Sequence, residues 1–319
     1  MLMAAGLGTR LKPFSDQVPK ALVPVMGVPV AQFAIDALAS AGVEEVVVNI
    51  HHLANLARVG FEKLDLHGMK LSFSDESANL LGSAGGLKKA LPLFKGYPFY
   101  YLNADVISSL DIRELGEHRG RMKRQWNSLI TMAVFPNPVH SAEIYREIIS
   151  DPLSSLILSL GEKKARAPFF TGAAVIEPEA VAHLKDETPA ELVPEILTPA
   201  LQHSRACVFT SNGDWMDIGS PELWLKAHLN LIEGLERGSI KNAWRRRIEM
   251  KSERMGEKQW RLISSRSFSR ARADWVGPCF FGGTEKTRYF GPKTVIYGKP
   301  PKLTLHNGIG LDGKFLEFV

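Results

Sequence analysis

The chain has 319 residues, 45% of them hydrophobic and 23% charged, with a formal net charge of +5. This ordinary globular composition can fill a core without a disulfide or metal staple, as one large domain or about two smaller ones. The two cysteines, Cys207 and Cys279, are far apart and in no motif, which speaks against a disulfide framework or zinc site and for a reducing compartment. No run approaches the ~18 apolar residues of a membrane span. A glycine motif follows the first residues almost directly, so the expectation is a chain without a signal peptide that works in the cytoplasm.

In chain order, residues 1–4 read as a clipped strand running into the turn AAGLGTRLKPFSDQVPK. Residues 30–41 carry apolar side chains at helical spacing and stop at Gly42. VEEVVVNI, residues 43–50, is apolar and β-branched, a strand. A helix over 53–64, a strand over 70–74, a short helix over 86–94 and a buried strand over 98–103 follow. This rhythm predicts an α/β fold with a mostly parallel sheet flanked by helices on both faces. Further on, 128–135 and 173–176 read as strands, 142–160 as antiparallel strands, and 190–204 and 221–235 as helices.

The basic excess sits in one place. Residues 236–272 hold twelve Lys/Arg and four Asp/Glu, against 27 and 30 in the rest of the chain. With Trp244 and Trp260 this segment reads as a basic helical linker, and nucleic-acid binding is not expected of it. After Ala273 the chain becomes turn-rich, as in WVGPCFFGG and YFGPKTVIYG. That predicts a small Gly-rich β appendage over 273–319. Its spacing resembles degenerate hexapeptide repeats of a left-handed β-helix, and an irregular β extension fits equally well.

Gly6 and Gly8 follow a strand, which lets backbone amides approach a ligand at the carboxyl end of a sheet. The loop is not a dinucleotide fingerprint, because Leu11 stands where the third glycine belongs and Pro13 soon follows. It is not the common NTPase loop either, since no G-K-[ST] closes it. Instead Arg10 offers a fork of donors suited to phosphate oxygens and Lys20 a mobile point charge, on a loop stiffened by Pro13 and Pro19.

AGLGTRLKPFSDQVPKALVPVMGVPV closely resembles the signature of the sugar-1-phosphate nucleotidyltransferases at Gly6, Gly8, Thr9, Arg10, Leu11, Pro13, Pro19, Lys20 and Pro24. Three further stretches resemble the same family in the expected order. ESANLLGSAGGLKKAL looks like the base-holding loop, implying nucleotide contacts from Gly82 and Ser83 and one near Glu76, beside Ala4, Ala5, Gly6, Gly8 and Thr9. FYYLNADV puts Asp105 just past a strand, behind Asn103-Ala104. GDWMDIGSPELW carries a W-x-D-x-G motif with Asp217. The resemblance implies that Asp105 and Asp217 hold Mg²⁺, an ion that prefers oxygen ligands. FFTGAAVIEP resembles the strand lining the sugar pocket, with Thr171 and Gly172. Glu162-Lys163 resembles the Glu-Lys pair near the sugar and its phosphate, with shorter spacing and no following proline. His51-His52 reads as a structural loop opening a helix, with Ser220 as the N-cap of the helix after Asp217.

The resemblance covers about residues 1–235. It implies a Rossmann-like sheet of the nucleotide-diphospho-sugar transferase type, a catalytic part over 1–235, and Mg²⁺ as cofactor. The implied reaction joins a nucleoside triphosphate to a sugar 1-phosphate, with pyrophosphate released. Arg10 and Lys20 would serve the phosphates, and Asn103, Thr171, Gly172, Glu162 and Lys163 the sugar phosphate. UTP and GTP are the expected donors. The first 230 residues resemble both N-acetylmuramate-1-phosphate uridylyltransferases and mannose-1-phosphate guanylyltransferases, which serve cell envelope polysaccharide. A homo-oligomer is compatible with this. The alternative is a nucleotide-sugar-binding regulatory protein without catalysis, against which the intact Arg10, Lys20, Asp105 and Asp217 argue.

Overall fold

A computed structural model describes residues 1–135, 145–163 and 167–256, and beyond them the strands at 259–262, 274–275, 279–282, 289–290, 294–297, 308–311 and 314–317. The chain divides into two units, each stitched from two stretches: Met1–Gly6 with Ala34–Trp215, and Leu7–Phe33 with Met216–Val319. Its strands begin with β1 (Leu2–Met3), β2 (Pro24–Val25), β3 (Val28–Pro29), β4 (Glu45–Ile50), β5 (Lys70–Asp75), β6 (Phe99–Asn103) and β7 (Val106–Ser108). They continue with β8 (Ile130–Phe135), β9 (Arg146–Ser150), β10 (Ile157–Lys163), β11 (Phe169–Ile176), β12 (Ala206–Thr210) and β13 (Trp215–Asp217). The helices are α1 (Val30–Ser40), α2 (Ala54–Glu62), α3 (Gly82–Ala90), α4 (Ile112–Trp126), α5 (Glu179–Ala182), α6 (Thr198–Gln202), α7 (Pro221–Arg237) and α8 (Asn242–Glu249).

The first unit is built on a nine-stranded sheet in the order β10-β9-β11-β6-β1-β4-β5, with β8 also on β11 and β12 on β8. It is parallel through β6, β1, β4 and β5 and again between β8 and β12. It is antiparallel where β11 meets β6, β8 and β9. In β4 every residue after Glu45 is buried, as a strand covered on both faces requires. Helix α3 turns Ala84, Leu87 and Ala90 into a core shared with Val47, Tyr101, Ile130 and Ala174.

Three elements differ from the sequence expectation. Helix α3 starts at Gly82, not at residue 86, and continues as a 3₁₀ turn over Leu91–Phe94. Its low-propensity start is held from a distance: the Ala84 and Gly85 amides donate to the Ala190 carbonyl at 2.9 and 3.1 Å. The expected helix over 190–204 divides into a π turn, Val193–Leu197, and α6, with a proline near the start of each. Helix α4 is additional. It is charged along most of its length and buries only Ile112, Leu115 and Met122, so its apolar stripe is faint. Asp111 caps it by accepting from the Glu114 amide at 3.0 Å. The antiparallel pair expected over 142–160 is β9 with β10, and residues 142–144 lie outside the described residues.

In the second unit, the glycine loop folds as three 3₁₀ turns, Thr9–Leu11, Phe14–Asp16 and Lys20–Leu22, followed by the β2–β3 ribbon. Helix α7 anchors it. Phe14 meets the fully buried Trp224 edge-on at 5.1 Å, and Trp224 Nε1 donates to the Pro24 carbonyl at 2.7 Å. Ser220 caps α7 as expected, accepting from the Leu223 amide at 3.3 Å. In the basic segment, α8 is followed by an antiparallel pair, Ser252–Gly256 with Gln259–Leu262. The helical part therefore stops at Glu249, and residues 257–258 and 263–273 lie outside the described residues. Trp244 is buried against Phe33, edge-on at 5.8 Å.

Gln259–Leu262, Cys279–Gly282, Thr294–Tyr297 and Gly308–Leu311 stack as parallel neighbours. A second parallel pair is Asp274–Trp275 with Tyr289–Phe290. Cys279 lies opposite Thr294 and Asp274 opposite Tyr289, so these two pairs share one offset, whereas Gln259 opposite Cys279 and Thr294 opposite Gly308 do not. The Gly-Pro pairs at 277–278 and 291–292 lie outside the described residues.

Candidate functional site

In the first unit, β1, β4 and β6 run side by side, and their carboxyl ends carry Ala4, Asn49 and Asn103 together. This is where open α/β sheets bind ligands. Asn49 is 2% exposed, and its Oδ1 accepts from the Ala4 and Ala5 amides at 2.7 and 3.3 Å. Those two amides are thus engaged within the fold. Asn49 Nδ2 donates to Glu76 Oε1 at 2.8 Å, and Glu76 Oε2 accepts from the Leu81 amide at 3.1 Å. Glu76 is fully buried, and burial pushes its carboxyl up against the pull of those two hydrogen bonds. Glu76 therefore shapes the loop up to Leu81. His51 Nδ1 donates to the Glu76 carbonyl at 2.7 Å, in keeping with a structural role for that histidine.

Gly82 has φ +71°, and a Cβ there would stand 2.6 Å from Glu191 Oε1 and 2.7 Å from the Ala190 carbonyl oxygen. Ser83 Oγ donates to Glu191 Oε2 at 2.6 Å and accepts from the Leu192 amide at 2.7 Å. Glu191 thus covers the expected base-holding turn. Sequence reasoning missed Asn49 and Glu191, because each acts through a partner far along the chain. The one signal was an amide inside the apolar run VVVNI.

Asn103 packs against Gly172, whose φ is +83° and whose Cβ would lie 2.6 Å from Asn103 Nδ2. The β11–β8 register shifts between Phe170 and Ala174, which places this glycine in an irregular stretch of the strand. Thr171 is buried. Its hydroxyl donates to the Ala133 carbonyl at 2.9 Å, and its own carbonyl accepts from Trp215 Nε1 at 2.9 Å. Asp105 is half-buried just past β6. Burial, with the Asp105 and Glu191 carboxylates adding to it, holds the Tyr101 phenol above its usual range. Glu162 and Lys163 are exposed at the end of β10, the first strand in the sheet order, with Lys163 opposite Arg146.

In the second unit, Gly8 has φ +64°, and a Cβ there would lie 2.9 Å from Ser15 Cβ and 3.5 Å from Lys20 Cβ. Ser15 Oγ donates to the Gly8 carbonyl at 2.7 Å, closing the loop on itself. Only glycine fits that turn, and it brings Lys20 alongside. Arg10 and Thr9 are exposed, and Lys20 is half-buried. Arg10 and Asp217 meet around Gly219: a Cβ there would be 3.0 Å from both Asp217 carboxylate oxygens and 3.1 Å from Arg10 Nη2. The loop cation and the W-x-D-x-G carboxylate therefore share one small space that a side chain on Gly219 would invade.

Residues 1–234 match the family model described as Nucleotidyl transferase, and the chain belongs to that family. It is 26% identical over 220 residues to the N-acetylmuramate alpha-1-phosphate uridylyltransferase of Neisseria meningitidis, covering 69% of this chain and 92% of that protein. It is 26% identical over 242 residues to the mannose-1-phosphate guanyltransferase of Saccharomyces cerevisiae, covering 74% of this chain and 65% of that one. Among solved structures it resembles HddC from Yersinia pseudotuberculosis, with TM-score 0.59 and 20% identity over 72% of this chain and 97% of that one. Among the described residues no helix is long and apolar enough to cross a membrane.

Proposed function

We propose that this chain transfers a nucleotidyl group from a nucleoside triphosphate to a sugar 1-phosphate, with UTP as donor and an N-acetylmuramate-type sugar as acceptor. One observation carries the chemistry: Arg10 and Asp217 meet around Gly219 in the unit where Lys20 lies beside Gly8. The choice of uridylyl transfer is supported by the relative that this chain covers over 92% of its length. The guanylyl reading keeps one observation in its favour, the parallel-stacked extension after Ala273. Residues 1–235 would carry the reaction, with 236–272 and 273–319 as accessory parts.

In this reaction a phosphate oxygen of the sugar 1-phosphate attacks the α-phosphorus. A new P–O bond forms, the α–β P–O bond breaks, and pyrophosphate leaves. Both reactants are anions, so cationic groups must offset their charge. The Arg10 guanidinium presents paired donors to phosphate oxygens, and the Lys20 ammonium offsets charge at the reacting phosphates. Gly82 and Ser83 would receive the base, and Asn103 and Gly172 the sugar side, with Thr171, Glu162 and Lys163 as further candidates. Asp105 and Asp217 are the carboxylates proposed for Mg²⁺, and oxygen donors are what that ion takes. Bound there, the ion would supply further neutralisation of phosphate charge.

The test is pyrophosphate release with UTP or GTP against a panel of sugar 1-phosphates. Lys20→Ala and Asp105→Asn should each lower turnover on the order of 10²–10³-fold, as loss of a preorganised charge-stabilising group does, with the melting temperature kept. Near-normal rates in both variants would remove the site assignment.

A further inference from the structure

Asn49 stands in a strand whose neighbours, Val46 to Val48 and Ile50, are buried and apolar. An aliphatic side chain would fill that position without the cost of desolvating an amide. The amide is instead fully used. One face accepts two backbone N–H groups from the end of β1, and the other donates to Glu76. An asparagine can do both because its two ends differ, oxygen accepting and nitrogen donating. Glu76 carries the link onward to the Leu81 amide, next to Gly82. Helix α3 closes on the pair from one side: a Cβ on Gly86 would lie 2.6 Å from Glu76 Oε1 and 3.1 Å from Asn49 Nδ2. The chain of bonds Ala4/Ala5–Asn49–Glu76–Leu81 is thus polar and continuous, and buried from Ala5 onward.

We propose that Asn49 is a positioning residue for the nucleotide: through Glu76 it fixes the end of β1 and the base-holding loop at one separation. This rests on the nucleotidyl-transfer reading. Asn49 does not itself touch the nucleotide. It sets where Ala4, Ala5 and Gly82 stand when the nucleotide arrives.

The polarity of the link supplies the test. Asn49→Asp sets two carboxylates face to face. Adding Glu76→Gln restores the sequence of donors and acceptors, because a glutamine amide can donate to the new carboxylate at position 49 while its oxygen accepts from Leu81. Initial rates of pyrophosphate release are measured with UTP varied, or GTP if the wild-type chain prefers it, and separately with the sugar 1-phosphate varied. N49D should raise KM for the triphosphate by about tenfold or more, a loss of ~1.4 kcal/mol or more in binding. KM for the sugar phosphate should stay within about twofold, and N49D/E76Q should bring KM for the triphosphate back to within about threefold of wild type. An unchanged KM for the triphosphate in N49D overturns the inference. So does a double variant that regains its melting temperature and not its KM. If N49D does not fold, Asn49→Ser, which is smaller and keeps a hydroxyl, is titrated with the triphosphate by thermal shift and should bind more weakly; equal binding overturns the inference. A wild-type chain that binds and turns over neither triphosphate overturns the functional reading itself, and this inference with it.

Discussion

Gly219→Ala is the sharpest probe of the arrangement around the glycine loop. Gly219 is buried and is not among the glycines with positive φ, so alanine meets no backbone strain there. The added methyl would stand 3.0 Å from each Asp217 carboxylate oxygen and 3.1 Å from Arg10 Nη2, where 3.4 Å is the near edge of ordinary contact. Both side chains must retreat by a few tenths of an ångström, and both can, since each ends in a movable group. The fold therefore loses little. Replacing glycine by alanine at a compatible φ also restricts the unfolded chain, worth about 0.4–1 kcal/mol in the opposite direction. Catalysis is less tolerant, because a displacement of about 1 Å in a reacting constellation costs about 10²-fold. The expectation for this smaller shift is kcat/KM lowered between about tenfold and 10²-fold, with the melting temperature within about 3 °C of wild type. Steady-state pyrophosphate release and a thermal melt measure both. A kcat/KM within twofold of wild type would refute the view that Arg10 and Asp217 act from the positions they hold around Gly219.

Two further expectations concern binding and pH. Gly172→Ala forces a side chain onto a φ of +83° and to 2.6 Å from Asn103 Nδ2. It should cost about 1–2 kcal/mol of stability and raise KM for the sugar 1-phosphate more than KM for the triphosphate; equal effects on both would detach Asn103 and Gly172 from the sugar side. His228 is fully buried, donates through Nδ1 to the Trp224 carbonyl, and has its pKa lowered by burial to about 3. Above pH ~6.5 neither state is protonated and the histidine adds no pH dependence. As pH falls from ~6.5 towards 3 the unfolded chain takes up a proton that the folded chain refuses, so stability falls, by about 2 kcal/mol at pH 5. Urea unfolding of wild type and His228→Gln at pH 7.5 and 5.0 should show that extra loss in wild type only; parallel losses in the two proteins would show that His228 is not the group responsible.

Much of this molecule is legible in order along the chain. VVVNI and FYYLN are strands because buried parallel strands need continuous apolar runs, and β4 and β6 are those strands. Ser220 caps α7 with the chemistry that a serine before Pro-Glu offers. The shape and charge of the glycine loop are legible at Gly8, Arg10, Pro13, Pro19 and Lys20, since the type of each residue restricts its own backbone or carries its own charge. Helix α4 was hidden because a mostly charged helix shows a faint stripe, although Asp111 with Glu114 three residues on is a capping signal. What only the tertiary structure decided is which side chains face each other. Asn49 finds Glu76 27 positions away, Ser83 finds Glu191 108 positions away, and Gly219 lies beside both Arg10 and Asp217. Propensity and periodicity act within a turn or a strand. A buried amide's partner depends instead on strand order and register, which are settled when the whole core packs.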